Sequence, residues 1–469
     1  EVRGHLRFWW RATRGGQFDG DLTKMKAAED VLWGSASAKN GGGPSLVQVE
    51  VEIIERGFPL IPEHSDPQKQ PLNHDGERIS KEQFNNSDFA HGLGGRSKYE
   101  QFNKRENRVE LRDLYAGSPE SIDGYVAFPL RKEEKGQDAG VLLEGVVFRL
   151  RLSYPRIWPP KLTIPQKAQE YFNMSSYFKH NPAEEVSAAL WAWETFGGVG
   201  ARTRRGFGAI ALSNWTQGSE DYTILRGNPA TPTQVKEWIT KQLDKIIVSE
   251  VWMPDTPHVS KTLRIETDEI SKDSKWVWRK LGQKLKGFRQ RRNKSFRGTS
   301  FGRSKWPEPD VVRKLTGMYY EDLYDPAHNH KTPIYDPLIE AFPRAAFGLP
   351  ISFAFQRDQT NPKRTKTVDP IGTNTLEGDH ADHQRFASPL IMRPIMCDSG
   401  EYVGLAVIIE GTRLPPMQLL SHKSLNANLT AEQAERIHKN GLTEIPTAGA
   451  GISPYDILEA FLKSLKGAK

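Results

Sequence analysis

Residues 197–208, GGVGARTRRGFG, carry the densest chemical signal in this 469-residue chain. Gly198, Gly200, Gly206 and Gly208 form two Gly-apolar-Gly pairs, and three of the five residues between the pairs are Arg202, Arg204 and Arg205. Glycine admits positive φ and lets a bulky partner approach the backbone. Successive N–H groups in such a loop can form a concave anion site, and guanidinium forks match phosphate oxygens. With no acidic residue in it, the loop is a candidate clamp for an RNA or DNA backbone. The competing reading is a tight helix-to-strand connection with solvated arginines.

Two further segments point to polyanions. In GHLRFWWRATR, residues 4–14, and the residue before it, Arg3, Arg7, Arg11 and Arg14 recur at helical spacing and fall within an arc of roughly 80° at 100° per residue. This predicts a helix with one packed side, holding Leu6, Trp9 and Trp10, and one side lined by arginines that face phosphate, a partner or solvent. Residues 275–306 hold twelve Lys or Arg and no acid, with Trp276, Trp278, Phe288, Phe296, Phe301 and Trp306 interleaved. Basic residues give salt-dependent phosphate affinity and aromatics offer stacking platforms for unpaired bases. Arg289, Arg291, Arg292, Arg303, Lys305 and Trp306 are the candidates there, in a stretch expected to stay flexible until a partner neutralises it.

Catalytic patterns are sparse. His5 lies on the first helix without a partner tyrosine or lysine placed by sequence. Asp379, His380, Asp382 and His383 have spacing that could hold a metal, but they sit in a polar loop without a clear third and fourth ligand. Neither a nucleophile elbow nor a phosphate-binding Walker loop is present. The single cysteine, Cys397, excludes an internal disulfide framework and fits a reducing, cytoplasmic setting. No apolar run reaches membrane-spanning length. The formal charge of +7 favours polyanionic partners.

The elements that position these residues are partly legible. Asn181-Pro182-Ala183-Glu184 predicts a capped helix start, followed by a helix with Val186, Leu190 and Trp193 on one side. Gly197 and Gly198 end it, and Phe207–Leu212 reads as a short strand. Helices are expected at 22–33 and after Thr231, whose TPTQ reads as a capping box before Val235, Trp238, Ile239, Leu243, Ile246 and Ile247. Two more start at Thr430 and Ser453. Strands are expected at 46–54 with one wet face, 124–130, 141–154, 261–266, 351–355, 386–394 and 402–410. Residues 57–120 read as an insertion.

Gly198-Val199-Gly200 and Gly206-Phe207-Gly208 resemble the glycine-rich loop of the RAMP superfamily of CRISPR RNA-binding proteins. RGHLRFWWRA, the loop itself, FGRSKWPEPD at 301–310, PRAAFGLPISF at 343–353 and RFASPLIMRP at 385–394 occur in one order. Together they resemble the family of first subunits of the Cmr complex, the RNA-guided type III-B CRISPR effector. That resemblance implies an α+β fold of two tandem ferredoxin-like domains, here 1–222 with the 57–120 insertion and 223–469. It also implies an RNA-binding subunit without catalysis that caps the end holding the 3′ portion of the guide RNA. The expected partners are CRISPR guide RNA, target RNA as a further candidate, and sibling RAMP subunits; no cofactor or metal is expected. Such a fold needs a strand before the first helix, and the expectation is that this strand, with on the order of 10 to 30 residues of the N-terminus, is missing from this sequence. Two alternatives stay open: a metal-independent RAMP endoribonuclease processing CRISPR RNA, and a metal-dependent nuclease using the 379–383 loop.

Overall fold

The computed structural model describes residues 1–35, 44–59, 143–158, 178, 180–212, 228–294, 301–304, 306, 308–315, 342–355, 373–378, 384–412, 414–415, 417–420 and 454–466. Helices and small sheets alternate. The helices are α1 (Val2–Arg14), α2 (Leu22–Trp33), α3 (Pro182–Phe196), α4 (Val235–Ile246), α5 (Ser274–Arg289), α6 (Glu308–Leu315) and α7 (Pro454–Lys466). The strands are β1 (Gln48–Pro59), β2 (Leu143–Ser153), β3 (Arg264–Ser271), β4 (Arg292–Lys294), β5 (Phe301–Ser304), β6 (Ile351–Ala354), β7 (Thr373–Gly378), β8 (Leu390–Met396), β9 (Tyr402–Ile408) and β10 (Met417–Leu420). They form ribbons β1-β2 and β4-β5 and three-stranded sheets β10-β7-β6 and β3-β9-β8. These residues fall into two compact units. The first is Glu1–Pro254, Glu269–Lys286 and Met392–Gly404; the second is Asp255–Asp268, Gly287–Ile391 and Leu405–Lys469. The expected boundary at 222/223 lies outside the described residues, as do the strand at 124–130, the helix start at Thr430, most of the 57–120 insertion and the 379–383 loop.

In the first unit α1 packs along α3. The reason lies in side-chain sizes. Ala188, Ala189 and Ala192 keep α3 thin, and Leu6, Trp9 and Trp10 of α1 are buried with Val186, Trp193 and Phe196. Trp9 and Phe196 meet at 5.8 Å between ring centroids. Burying side chains of this size is worth on the order of 2–3 kcal/mol each. The start of α3 is fixed as the sequence predicts. Asn181 Oδ1 accepts the Glu184 N–H at 3.0 Å, and Glu184 Oε2 accepts the Asn181 N–H at 3.2 Å. The TPTQ segment behaves differently. Residues 232–234 form a 3-10 turn ahead of α4, and Thr231 Oγ1 donates to Gln234 Oε1 at 3.1 Å instead of capping the backbone.

The β1-β2 ribbon is antiparallel, with Val51 opposite Leu150 and Ile53 opposite Phe148. Its alternation is clean, but Val51 and Ile53 are 41% and 51% exposed. The expectation of a single wet face fails because no third strand covers this ribbon among the described residues. On its polar face Arg149 meets Glu52 at 2.7 Å and Arg151 meets Glu50 at 2.7 Å.

The second unit has its own core. Val311, Val312, Phe342, Leu349, Ile351, Phe353, Leu376, Met417 and Leu419 pack together across α6 and the β10-β7-β6 sheet. Two of the sequence segments singled out above join here. Glu308, fully buried, accepts the Arg344 backbone N–H at 2.7 Å and pairs with its guanidinium at 3.1 Å. A buried carboxylate needs such partners to stay charged at tolerable cost.

Candidate nucleic-acid interface

The glycine-rich loop is a closed hairpin of backbone with a braced stem. Val199 N–H donates to the Gly208 carbonyl at 2.9 Å, joining the two Gly-apolar-Gly pairs. Between them, Thr203–Arg205 make one 3-10 turn, closed by Arg205 N–H to Arg202 O at 2.8 Å and Gly206 N–H to Thr203 O at 3.0 Å. Arg202 enters this turn in the left-handed region, φ 60°. Gly206 and Gly208 have φ of 81° and 60°. A Cβ on Gly206 would lie 2.8 Å from the Trp278 ring and 3.0 Å from the Met392 carbonyl oxygen; one on Gly208 would overlap the Val199 carbonyl oxygen. Both positions therefore require glycine for backbone sign and for space. Gly198 sits buried against Gly208, whereas Gly200 is at the exposed tip with nothing within 4 Å of where a Cβ would lie.

Four side chains from three elements hold the stem. Trp193 Nε1 of α3 donates to the Gly198 carbonyl at 3.0 Å. Trp278 Nε1 of α5 donates to the Arg205 carbonyl at 2.7 Å, and its ring meets Phe207 edge-on at 4.6 Å. Arg393 of β8, buried, donates to the Gly197 carbonyl at 2.7 Å and also to the Ile210 carbonyl. Glu194 of α3 accepts the Leu212 N–H at 2.8 Å. Desolvation pulls the Arg393 pKa down to about 10, with Glu194 opposing, and raises Glu194. Arg393 remains a cation at neutral pH.

This bracing explains why residues 207–212 do not form the expected strand. The Ile210 carbonyl and Leu212 N–H are satisfied by the Arg393 and Glu194 side chains, so that backbone is fixed without a sheet neighbour. The three loop arginines differ among themselves. Arg205 is buried, while Arg202 and Arg204 are half-buried beside the exposed Gly200 and Ala201. Desolvation lowers the Arg204 pKa to about 10, which leaves it charged at neutral pH.

The arginine row on α1 is resolved differently from expectation. Arg3 is exposed. Arg7 Nε lies 2.6 Å from Glu29 and Arg11 Nη1 lies 3.2 Å from it; Arg7 also donates to Asp30 at 3.2 Å and to the Gly34 carbonyl at 2.9 Å. Arg14 is buried, 3.5 Å from the fully buried Glu185, and donates to the Ile246 carbonyl at 2.7 Å. Trp10 Nε1 and Gln17 Nε2 complete the Glu185 carboxylate at 2.7 and 3.1 Å. The segment itself holds no acid, but α2 and α3 supply three, so of this row only Arg3 is exposed, while Arg7 and Arg11 are half-buried and paired with acids.

The basic stretch is ordered at its start. Asp273 accepts the Lys275 N–H at 2.8 Å and opens α5, which buries Val277, Leu281 and Leu285. In the second unit, Arg289 lies over Phe347 at 5.3 Å and the exposed Arg291 over Phe288 at 4.6 Å. Trp306 is no stacking platform: it is buried, meets Phe288 at 5.6 Å and donates to the Phe288 carbonyl at 3.2 Å. Arg292 and Arg303 lie on the β4-β5 hairpin. Lys305 lies outside the described residues.

His5 is half-buried, stacked on Trp193 at 6.1 Å, with Nε2 3.8 Å from Glu1. Desolvation lowers its pKa, and Glu1 opposes. Among the described residues there is no group of three or more His, Cys, Asp or Glu able to hold a metal, and no helix is long and apolar enough to cross a membrane.

A family model, that of the RAMP superfamily, matches residues 1–211. The matched region includes α1, α2, β1, β2, α3 and the whole glycine-rich loop. No curated protein matches the sequence. Among solved structures, the chain is similar to the apo form of Cmr1 from Pyrococcus furiosus. The two are 14% identical with a TM-score of 0.38, over 94% of this chain and 88% of that one. It is also similar to a chain of the type III-B Cmr-beta complex bound to cognate target RNA and AMPPnP in the presence of single-stranded DNA. There the identity is 12% and the TM-score 0.37, over 99% of this chain and 92% of that one.

Trp193, Trp278, Arg393 and Glu194 were not singled out as site residues by sequence. Arg393 and Trp278 did lie inside segments flagged for other reasons. Arg393 and Trp278 reach carbonyls 196 and 73 residues away, a long-range signal, whereas Trp193 and Glu194 act only 5 and 18 residues along the chain.

Proposed function

We infer that this protein is an RNA-binding subunit of an RNA-guided type III-B CRISPR effector, built as two tandem ferredoxin-like domains. It acts without catalysis, caps the complex where the 3′ portion of the guide RNA is held, and docks against sibling RAMP subunits in the cytoplasm. The observation that supports this most is the loop: a stem braced by four buried or half-buried side chains, and a tip carrying Gly200, Arg202 and Arg204. Pre-set backbone with charged tips suits phosphate, which carries no sequence information, so many guides can be accepted. The ordered set of segments from α1 to β8 supports the Cmr assignment.

The test is RNA binding across salt. Arg202→Ala with Arg204→Ala should weaken binding to single-stranded RNA and flatten the slope of log affinity against log salt by about 1.4, for two phosphates at about 0.7 each. Scrambled RNAs of equal length should agree within a few-fold. An unchanged slope in the folded variant overturns the reading.

A histidine-based ribonuclease is the second reading, favoured by one observation: His5 sits half-buried with a lowered pKa, and so is neutral and able to accept a proton at pH 7. Incubation with labelled guide precursor, with and without EDTA, separates it from the first. Cleavage abolished by His5→Ala, with RNA loading intact, would select it.

A further inference from the structure

Arg393 joins stretches of the chain that lie far apart in sequence. It is a buried cation on β8, 196 residues from Gly197 and 183 from Ile210, and it donates to the carbonyls of both. Those two carbonyls flank the glycine-rich loop on either side. One planar guanidinium therefore ties the two ends of the loop stem together, a geometry its rigid fork satisfies and a lysine ammonium on a flexible stem does not. The Met392 carbonyl, one residue earlier on β8, lies against Gly206 at the loop's other shoulder. The strand thus touches the loop at three places.

The electrostatics agree with this placement. A buried guanidinium must have its donors satisfied, and here backbone acceptors do most of that. The neighbouring carboxylate, Glu194, spends its oxygen on the Leu212 N–H. Arg393 keeps its positive charge under the loop.

We propose that Arg393 is the positioning residue of the RNA-binding loop: it fixes the separation of Gly197 and Ile210 and thereby the aim of Arg202 and Arg204 toward phosphate. This rests on the RNA-binding reading above. Arg393 touches no ligand itself. It acts through the loop, so its removal and the removal of the tip arginines should not be additive.

The experiment uses the full chain and three variants: Arg393→Met, Arg393→Lys, and Arg202→Ala with Arg204→Ala. The first measurement needs no RNA. Amide hydrogen exchange at Val199, Arg205 and Gly206, whose N–H groups close the loop, should quicken at least tenfold in Arg393→Met and in Arg393→Lys, with α2 unchanged. The second is affinity for a single-stranded RNA at fixed salt. Arg393→Met should weaken it roughly tenfold, and adding it to the tip variant should weaken binding no further than about twofold, a tenfold change being 1.4 kcal/mol. Unchanged loop exchange in Arg393→Met overturns the positioning role whatever the RNA result. Faster exchange with additive losses of affinity also overturns it, since Arg393 would then act elsewhere. Faster exchange with no effect of the tip variant on RNA would sink the RNA-binding reading while leaving the brace in place. If Arg393→Met does not fold, Arg393→Lys carries both measurements, with full rescue of exchange and affinity by lysine counting against the fork.

Discussion

Trp278 Nε1 donates to the carbonyl oxygen of Arg205 at 2.7 Å, joining residues 73 apart in sequence. The ring that makes this bond also meets Phe207 edge-on and fills the space beside Gly206. A basic stretch that reads as a flexible RNA arm thus begins as a helix that supports the loop. Trp278→Phe keeps the edge-on packing and removes the donor. It should lower unfolding free energy by about 1 kcal/mol, the usual net worth of one hydrogen bond. Urea denaturation checks this, and an unmoved midpoint would show that the bond contributes nothing.

Alanine at Gly208 and at Gly200 should differ. Both have positive φ, so each carries a backbone cost of about 1–2 kcal/mol. Gly208 adds a steric overlap with the Val199 carbonyl, whereas Gly200 faces open space. Gly208→Ala should therefore destabilise by clearly more than Gly200→Ala in thermal melts. Equal effects would mean the loop relaxes around the added methyl.

The α1 arginines should divide by burial. Arg14→Ala leaves the buried Glu185 without its cation and should cost about 3–5 kcal/mol. Arg3→Ala should leave the melting temperature within a degree or two, as surface substitutions do. RNA affinity of the folded fraction should fall for Arg3→Ala and not for Arg14→Ala. The reverse order would mean that α1 presents a different face to its ligand.

Cys397 should be unreactive. It is fully buried, and burial, with Glu401 and Asp398 adding to it, pushes its pKa up to about 11. At pH 8 the thiolate is then about a thousandth of the population, and the thiolate is the nucleophile. Iodoacetamide should label it only on unfolding. A raised thiol pKa also means that its contribution to stability is present below the ordinary thiol range and fades as pH climbs through about 11. Cys397→Ala should remove that alkaline component, and rapid labelling of the folded protein at pH 8 would contradict the burial.

By itself the sequence determined what neighbouring residues decide. The Asn181–Glu184 capping box, the helices at 2–14, 22–33 and 182–196, the alternation of β1 and the glycine spacing of 197–208 rest on interactions within a few residues, so composition and period expose them. The resemblance of residues 1–211 to the RAMP superfamily, whose family model matches them, was legible for the same reason, through short ordered segments. Tertiary structure alone decided which charges remain available. Arg7, Arg11 and Arg14 look unopposed in their own helix, yet Glu29, Asp30 and Glu185 reach them from α2 and α3. Trp306 looks like a stacking platform, yet Phe288 covers it. Residues 207–212 look like a strand, yet Glu194 and Arg393 take their backbone groups. A buried polar group takes whichever partner the fold brings to it, and that partner lies anywhere from 18 residues away, as for Glu194 and Leu212, to 196, as for Arg393 and Gly197.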